Sequence, residues 1–179
     1  MKNMQYLTGL ILAAVVLLAG CSSNSADFNE KTFLAKMETG GFLPKEIIDN
    51  LPDYANLTNS LGVPFDYWSK KDDNGNVLQK IELKAPEGKI TRYHYKAYNF
   101  SAAPVEKLTL AQGKELGLKF IETFRPDLSA LSWSQGQWYL SIYDPGNVEA
   151  WVAQDETHKY GVMVDLKSGL VEYFSQEDK

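Results

Sequence analysis

His94 and His158 are the only imidazoles in the chain, and Cys21 is its only thiol. One cysteine excludes an intramolecular disulfide and every multi-cysteine metal site. Two histidines exclude a three-histidine catalytic zinc centre. A serine nucleophile needs a positioned base. Alternation puts His94 on the polar side of a strand with Arg92 and Lys96, and His158 follows the acidic loop residues Asp155 and Glu156. Both read as exposed histidines, and neither neighbours a Gly-x-Ser-x-Gly element or a phosphate-binding glycine loop. Asp72, Asn74 and Asn76 have the spacing that opens a calcium loop. That loop would need Gly where Val77 stands and a bidentate glutamate where Leu83 stands. A solvated turn explains the run, so no metal, cofactor or catalytic residue is expected.

The remaining candidates are aromatic. Trp133, Trp138, Trp151, Tyr139, Tyr143 and Tyr160 gather late in the chain. Bulky rings on a half-buried pleated surface are mostly core. In the strand register read here, Trp151 points opposite Val148, Ala150 and Val152, as Tyr139 and Tyr143 point opposite Leu140 and Ile142. If those faces align, Tyr139, Tyr143 and Trp151 form an exposed patch for a peptide or protein. Helices covering both faces would remove it.

Cys21 has the most informative surroundings. After the single cation Lys2, no charge interrupts the 14 positions from Leu7 to Gly20. As a helix that stretch reaches about 21 Å, short of a ~30 Å hydrocarbon core. A positive start, a short apolar run and small residues at its end describe a secretory signal. Leu18-Ala19-Gly20-Cys21 resembles the lipobox of bacterial lipoproteins. The resemblance implies cleavage between Gly20 and Cys21, a diacylglyceryl group on the Cys21 sulfur and further acylation of the freed amine. Two or three acyl chains anchor stably where one does not. The alternative is an uncleaved signal anchor with Cys21 as a buried thiol. Cleavage leaves 159 residues with 17 basic and 23 acidic side chains, a net charge of −6. That balance favours neither nucleic acid nor anionic lipid, so the anchor must hold the protein at the membrane. Residues 21–28 read as a polar tether, whose six residues from Ser22 to Asp27 reach about 20 Å at most. Ser22 is compatible with outer-membrane sorting if the cell has one.

The elements that would present these residues are readable from periodicity. The composition, 44% hydrophobic and 12% aromatic, is too apolar for disorder and suits one domain or two very small ones. Residues 29–38 form a helix with Phe33, Leu34 and Met37 inward and Asp27 or Asn29 as cap. Pro44 opens a second helix, and Tyr54, Leu57 and Leu61 continue a helical spacing. From Phe65 the period becomes two. Asn74-Gly75 is a hairpin turn, and the chain continues as a three-strand meander with one wet face, Arg92, His94 and Lys96 lying opposite Tyr93, Tyr95 and Ala97. Thr109 and Gln112 make a capping box for a helix that carries Leu110, Gly113, Gly117, Phe120, Ile121 and Phe124 on one face. Each glycine there costs about 1 kcal/mol of helix propensity, which suggests a helix pressed close to a sheet. Strands are expected at 137–143, 148–154, 159–165 and 170–174.

Residues 81–90 line up with 162–171 at an offset of 81. Both stretches enter a turn whose glycine can take positive φ and leave with an aliphatic residue. The run from Thr109 to Phe120, with Phe124-Arg125-Pro126-Asp127 after it, resembles the helix that opens PepSY-type domains, especially the tandem YcdB/YcdC-like variety. The run from Tyr160 to Val171 is similar to their closing hairpin. Two departures stand out: Gly113 and Gly117 replace small alanines, and the earlier copy lacks a matching helix. The resemblance implies an α+β, cystatin-like fold with a helix packed on an antiparallel sheet in two similar halves. It also implies protein binding or protease modulation, without catalytic residues. The expected organisation is a signal peptide at 1–20, a tether at 21–28, a degenerate half at 29–104 and a PepSY-like half at 105–179. The expected function is a non-enzymatic protein- or peptide-binding lipoprotein on the extracytoplasmic face of a bacterial membrane. The alternative is a carrier of a small ligand, a lipid or cell-wall fragment; an unrecognised hydrolase ranks last.

Overall fold

The structure is a computed structural model that describes residues 29–97, 107–138 and 147–179. Gly20, Cys21, Tyr139 and Tyr143, and most of the strand expected at 137–143, lie outside the described residues. The elements run α1 (Glu30–Thr39), α2 (Lys45–Asp49), β1 (Asp53–Thr58), β2 (Pro64–Lys71), β3 (Val77–Lys84), β4 (Arg92–Ala97), α3 (Leu110–Phe124), β5 (Ser134–Gly136), β6 (Val148–Gln154), β7 (His158–Asp165) and β8 (Leu170–Asp178). The strands make one antiparallel sheet in the order β1-β2-β3-β4-β8-β7-β6-β5. Two meanders therefore meet where β4 pairs with β8, Tyr93 opposite Phe174. The fold is α+β, a sheet with helices on one face.

Local chemistry accounts for most boundaries. Asn29 caps α1, its Oδ1 accepting from Lys31 N at 2.9 Å and Thr32 N at 3.2 Å. The capping box of α3 is present: Thr109 N donates to Gln112 Oε1 at 2.8 Å and Gln112 N to Thr109 Oγ1 at 3.3 Å. The turns before β4 and β8 contain Gly88 (φ 76°) and Gly169 (φ 68°), the left-handed conformation that only glycine adopts cheaply.

The helices cover one face with an aromatic interlock. Phe33 of α1 stacks on Trp68 at 5.8 Å and meets Phe124 of α3 at 5.3 Å. Phe120 of α3 lies 5.3 Å from both Phe42 and Tyr93. Fully burying one such ring is worth about 1.5–3 kcal/mol. The α3 glycines set the depth of packing. A Cβ on Gly113 would stand 2.4 Å from Leu166 Cδ2 and 3.0 Å from Trp151 Cη2; one on Gly117 would stand 3.3 Å from Val162 Cγ1.

Arg125 closes the end of α3 although it is only 4% exposed. Its guanidinium grips the Asp127 carboxylate through two 3.0 Å bonds, and donates to Ile90 O at 2.8 Å and Gln176 Oε1 at 3.0 Å. The buried charge is paired and hydrogen-bonded, as burial requires. It ties the helix to both β8 and the turn before β4.

Three expectations are corrected. Tyr54 and Leu57 belong to a strand, β1, rather than to a helix. It pairs with β2 throughout, and Tyr54 OH and Asn56 Nδ2 both donate to Asp66 Oδ1. Leu61 lies in the following turn, where Asn59 Oδ1 accepts from Leu61 N and Val63 N, both at 2.9 Å. Pairing with a neighbouring strand outweighs a weak helical spacing. The meander around the Asn74-Gly75 turn consequently has four strands. Finally, Trp151 is 2% exposed: the bare glycine stripe of α3 lets the helix sit on its indole, so this ring is core and offers no binding surface.

Candidate functional site

The sheet face turned away from the helices carries the polar residues of β3 and β4. Register sets three pairs across that ladder: Lys84 opposite Arg92, Glu82 opposite His94, and Lys80 opposite Lys96. Glu82 accepts from Lys80 Nζ at 2.5 Å and has His94 Nδ1 3.8 Å away. Those two neighbours outweigh partial burial and hold its carboxyl down at about 2. The His94 ring stands edge-on to Tyr173 at 5.4 Å, leaving its side chain 13% exposed. His158 is partly covered as well, with Nδ1 2.6 Å from Thr157 Oγ1 and Nε2 3.3 Å from Asp178 Oδ1. The expectation of exposed histidines is thus corrected: cross-strand Glu82 and Tyr173 cover most of the His94 ring, and His158 is only part-exposed, at 28% of its side chain. Each imidazole has its own carboxylate, the arrangement that orients a base; at His94 that carboxylate is already held by a lysine.

The concavities of the described surface include a smaller and a larger one. The smaller, about 140 Å³, is lined by Asn59, Phe65, Glu82, Lys84 and Arg92. It opens at the end of β3 and β4, beside the β1–β2 turn. Around that turn Leu57, Leu61 and Val63 are exposed, Leu61 at 85%. The larger is an open groove of about 720 Å³ between α3 and the Ser129–Trp133 region, with Lys114, Leu118, Glu122 and Trp133 along it. At the opposite end of the polar face, Trp138 lies over Gly161 and its Nε1 donates to Ser175 Oγ at 3.0 Å.

The interior between helices and sheet also holds polar atoms. Gln79 Oε1, Tyr93 OH and Tyr95 OH are buried without a hydrogen-bond partner. Glu172 is near enough for its charge to raise both phenols, on top of their burial. Its own carboxyl is pushed up to about 7, chiefly by burial and further by Asp165, with Lys96 opposing. Glu172 is left out of the β7–β8 ladder at a register shift, since Met163 pairs with Tyr173 and Val164 with Val171.

The Asp72 loop is occupied with itself. Asp72 Oδ1 accepts from Asn74 N at 2.9 Å and Asn76 N at 2.8 Å, and its Oδ2 from Asn76 Nδ2 at 2.9 Å. These bonds lower the carboxyl below its ordinary range and spend the oxygens a cation would need. Among the described residues no three His, Cys, Asp or Glu side chains converge as a metal cluster, and no helix is long and apolar enough to cross a membrane.

The Arg125 network, the Glu172 position and the apposed Lys84 and Arg92 were not singled out from sequence. In the sequence, Lys80, Glu82 and Lys84 alternate with Ile81 and Leu83, and Arg92 with Tyr93, which puts Lys84 and Arg92 on polar strand faces either side of one turn; that is the available signal for their meeting. No protein-family model, curated protein or solved structure matches the chain.

Proposed function

We propose that the protein is a bacterial lipoprotein, anchored through acylated Cys21 on the extracytoplasmic side of a membrane, whose folded part binds a protein or peptide without catalysing a reaction. The observation that carries the binding reading is the apolar set Leu57, Leu61 and Val63, left exposed around a polar concavity. Exposed apolar side chains beside polar groups are the make-up of an interaction surface. The anchor rests on the Leu18-Ala19-Gly20-Cys21 motif behind an uncharged stretch.

The two four-strand meanders support a reading as two similar halves. The hairpins aligned at an offset of 81 are β3–β4 and β7–β8, which occupy corresponding places on either side of the β4–β8 junction. Together with the α3 motif, this favours descent from a tandem PepSY-like module and, with it, a role in binding or modulating a protease.

Mass spectrometry of the native N-terminus tests the anchor: an acylated Cys21 is expected, and an unmodified thiol with Met1 retained would end the reading. Crosslinking in intact cell envelopes tests the binding role. A specific partner should be enriched over a tethered control protein, and enrichment of none counts against it.

A second reading, a carrier of a small ligand, is favoured by the unpartnered Gln79, Tyr93 and Tyr95 atoms between helices and sheet. Buried polar atoms without partners are costly unless something satisfies them. Native mass spectrometry of the protein drawn from its own cells would reveal a retained ligand, and a bare mass would remove this reading.

A further inference from the structure

Lys84 and Arg92 stand directly opposite each other on the outer face of β3 and β4. Like charges in that position destabilise an antiparallel pair. The other such pair on the same ladder, Lys80 opposite Lys96, has Glu82 bonded to Lys80. Lys84 and Arg92 have nothing equivalent. Among the described residues no carboxylate lies within ion-pair distance of either. Glu82 lines the same concavity but is held by Lys80 and His94. The chain as a whole has an acidic excess, with net charge −5, so two unneutralised cations facing each other are a local exception.

The rest of the concavity suits an anion with an apolar stem. The Oδ1 of Asn59 is taken by Leu61 N and Val63 N, which leaves its amide NH₂ as a third donor beside the two cations. Phe65 supplies an apolar wall, and the Arg92 guanidinium is steadied over the Tyr173 ring at 5.6 Å. About 140 Å³ holds a small charged group. Leu57, Leu61 and Val63 then offer contacts to whatever flanks it. A phosphate has the charge for this site but gains nothing from the apolar surround; an acidic side chain between apolar neighbours uses both.

We infer that Lys84 and Arg92 form a carboxylate-binding site that takes an acidic residue from an apolar-flanked segment of a partner protein. This rests on the binding-module reading and adds the chemistry of the partner. Arginine and lysine each contribute a charge-assisted hydrogen bond there, and salt weakens the contact because the site is open.

The test uses the full chain in detergent and a fluorescent hexapeptide of alternating leucine and glutamate, followed by anisotropy. Its glutamine counterpart, inorganic phosphate and phosphatidylglycerol vesicles are the comparison probes. The glutamate peptide should bind, at least about tenfold more tightly than the glutamine one, and more weakly as salt rises. Lys84→Glu should abolish that preference while keeping or raising thermal stability, because it turns a repulsive cross-strand pair into an attractive one. Arg92→Gln should weaken the peptide by a similar factor. Equal binding to Lys84→Glu, or phosphate or vesicles engaging these residues in preference to the peptide, overturns the proposal. So does a crosslinked envelope partner recovered equally by the Lys84→Glu and Arg92→Gln chains, an outcome that leaves the binding-module reading standing. Loss of that partner from both variants supports it.

Discussion

The indole of Trp138 rests directly on Gly161: a Cβ at that glycine would fall 2.4 Å from Trp138 Cδ2. The same ring donates to Ser175 Oγ at 3.0 Å. One missing side chain on β7 therefore makes room for a tryptophan on the sheet face that the helices leave open.

Gly161→Ala should lift that ring. The clash is with a rigid ring system, so the indole must move and its bond to Ser175 must lengthen or break. A loss of about 1–3 kcal/mol is expected, read from urea denaturation. Fluorescence should shift to the red as the indole gains water; an unchanged spectrum and midpoint would contradict the packing described.

A small side chain and a large one on the glycine stripe of α3 should have different effects. Gly117→Ala meets Val162 at 3.3 Å, and its helix-propensity gain of about 1 kcal/mol offsets that small adjustment. Gly113→Leu drives a large side chain into Leu166 and Trp151. It should destabilise by about 1–3 kcal/mol. Thermal melts of both variants check the contrast.

Arg125→Ala should be among the costliest single changes. It leaves Ile90 O and Gln176 Oε1 without the donor they share and frees the end of α3 from the sheet, at a cost of about 3 kcal/mol. Arg125→Lys keeps the charge but not the planar fork, and should recover only part of the loss. Chemical denaturation of the three proteins measures it.

Two carboxyls should bend the pH profile of stability in opposite directions. Glu82, held at about 2 against an ordinary 4.5, contributes stability above pH 4.5 that is lost as pH falls toward 2. Asp72, Asp127 and Asp155 are lowered too, so Glu82→Gln should shrink this acid limb without abolishing it. Glu172, pushed up to about 7, binds more protons folded than unfolded between pH 4.5 and 7. Stability therefore falls as pH rises through that window, by about 3 kcal/mol at most. Glu172→Gln should flatten the upper limb and leave the protein more stable at pH 8. Urea midpoints across pH 3 to 8 test both.

The sequence by itself determined the local devices. The Thr109–Gln112 box and the turns at Gly75, Gly88 and Gly169 follow from short-range hydrogen bonding and from φ values that a few residue types accept, while the cap of α1 was narrowed to Asp27 or Asn29 and the structure chose Asn29. Alternation in β3 and β4 separated Ile81, Leu83, Tyr93 and Tyr95 from Lys80, Glu82, Lys84 and Arg92, because a strand turns successive side chains to opposite faces. It could not say what would cover each face. Trp151 and an exposed ring look alike in an alternating pattern, and only the descent of α3 onto Gly113 and Gly117 buried it. Tyr54 and Leu57 had a helical spacing too weak to compete once β2 supplied a pairing partner. The Arg125 anchor joins residues far apart in the chain, reaching Ile90 and Gln176, whereas the apposition of Lys84 and Arg92 and the Glu172 bulge are matters of register within the β3–β4 and β7–β8 hairpins, settled as those strands pack into the full sheet. Such contacts are decided by the sum of packing over the whole sheet, which no local window contains.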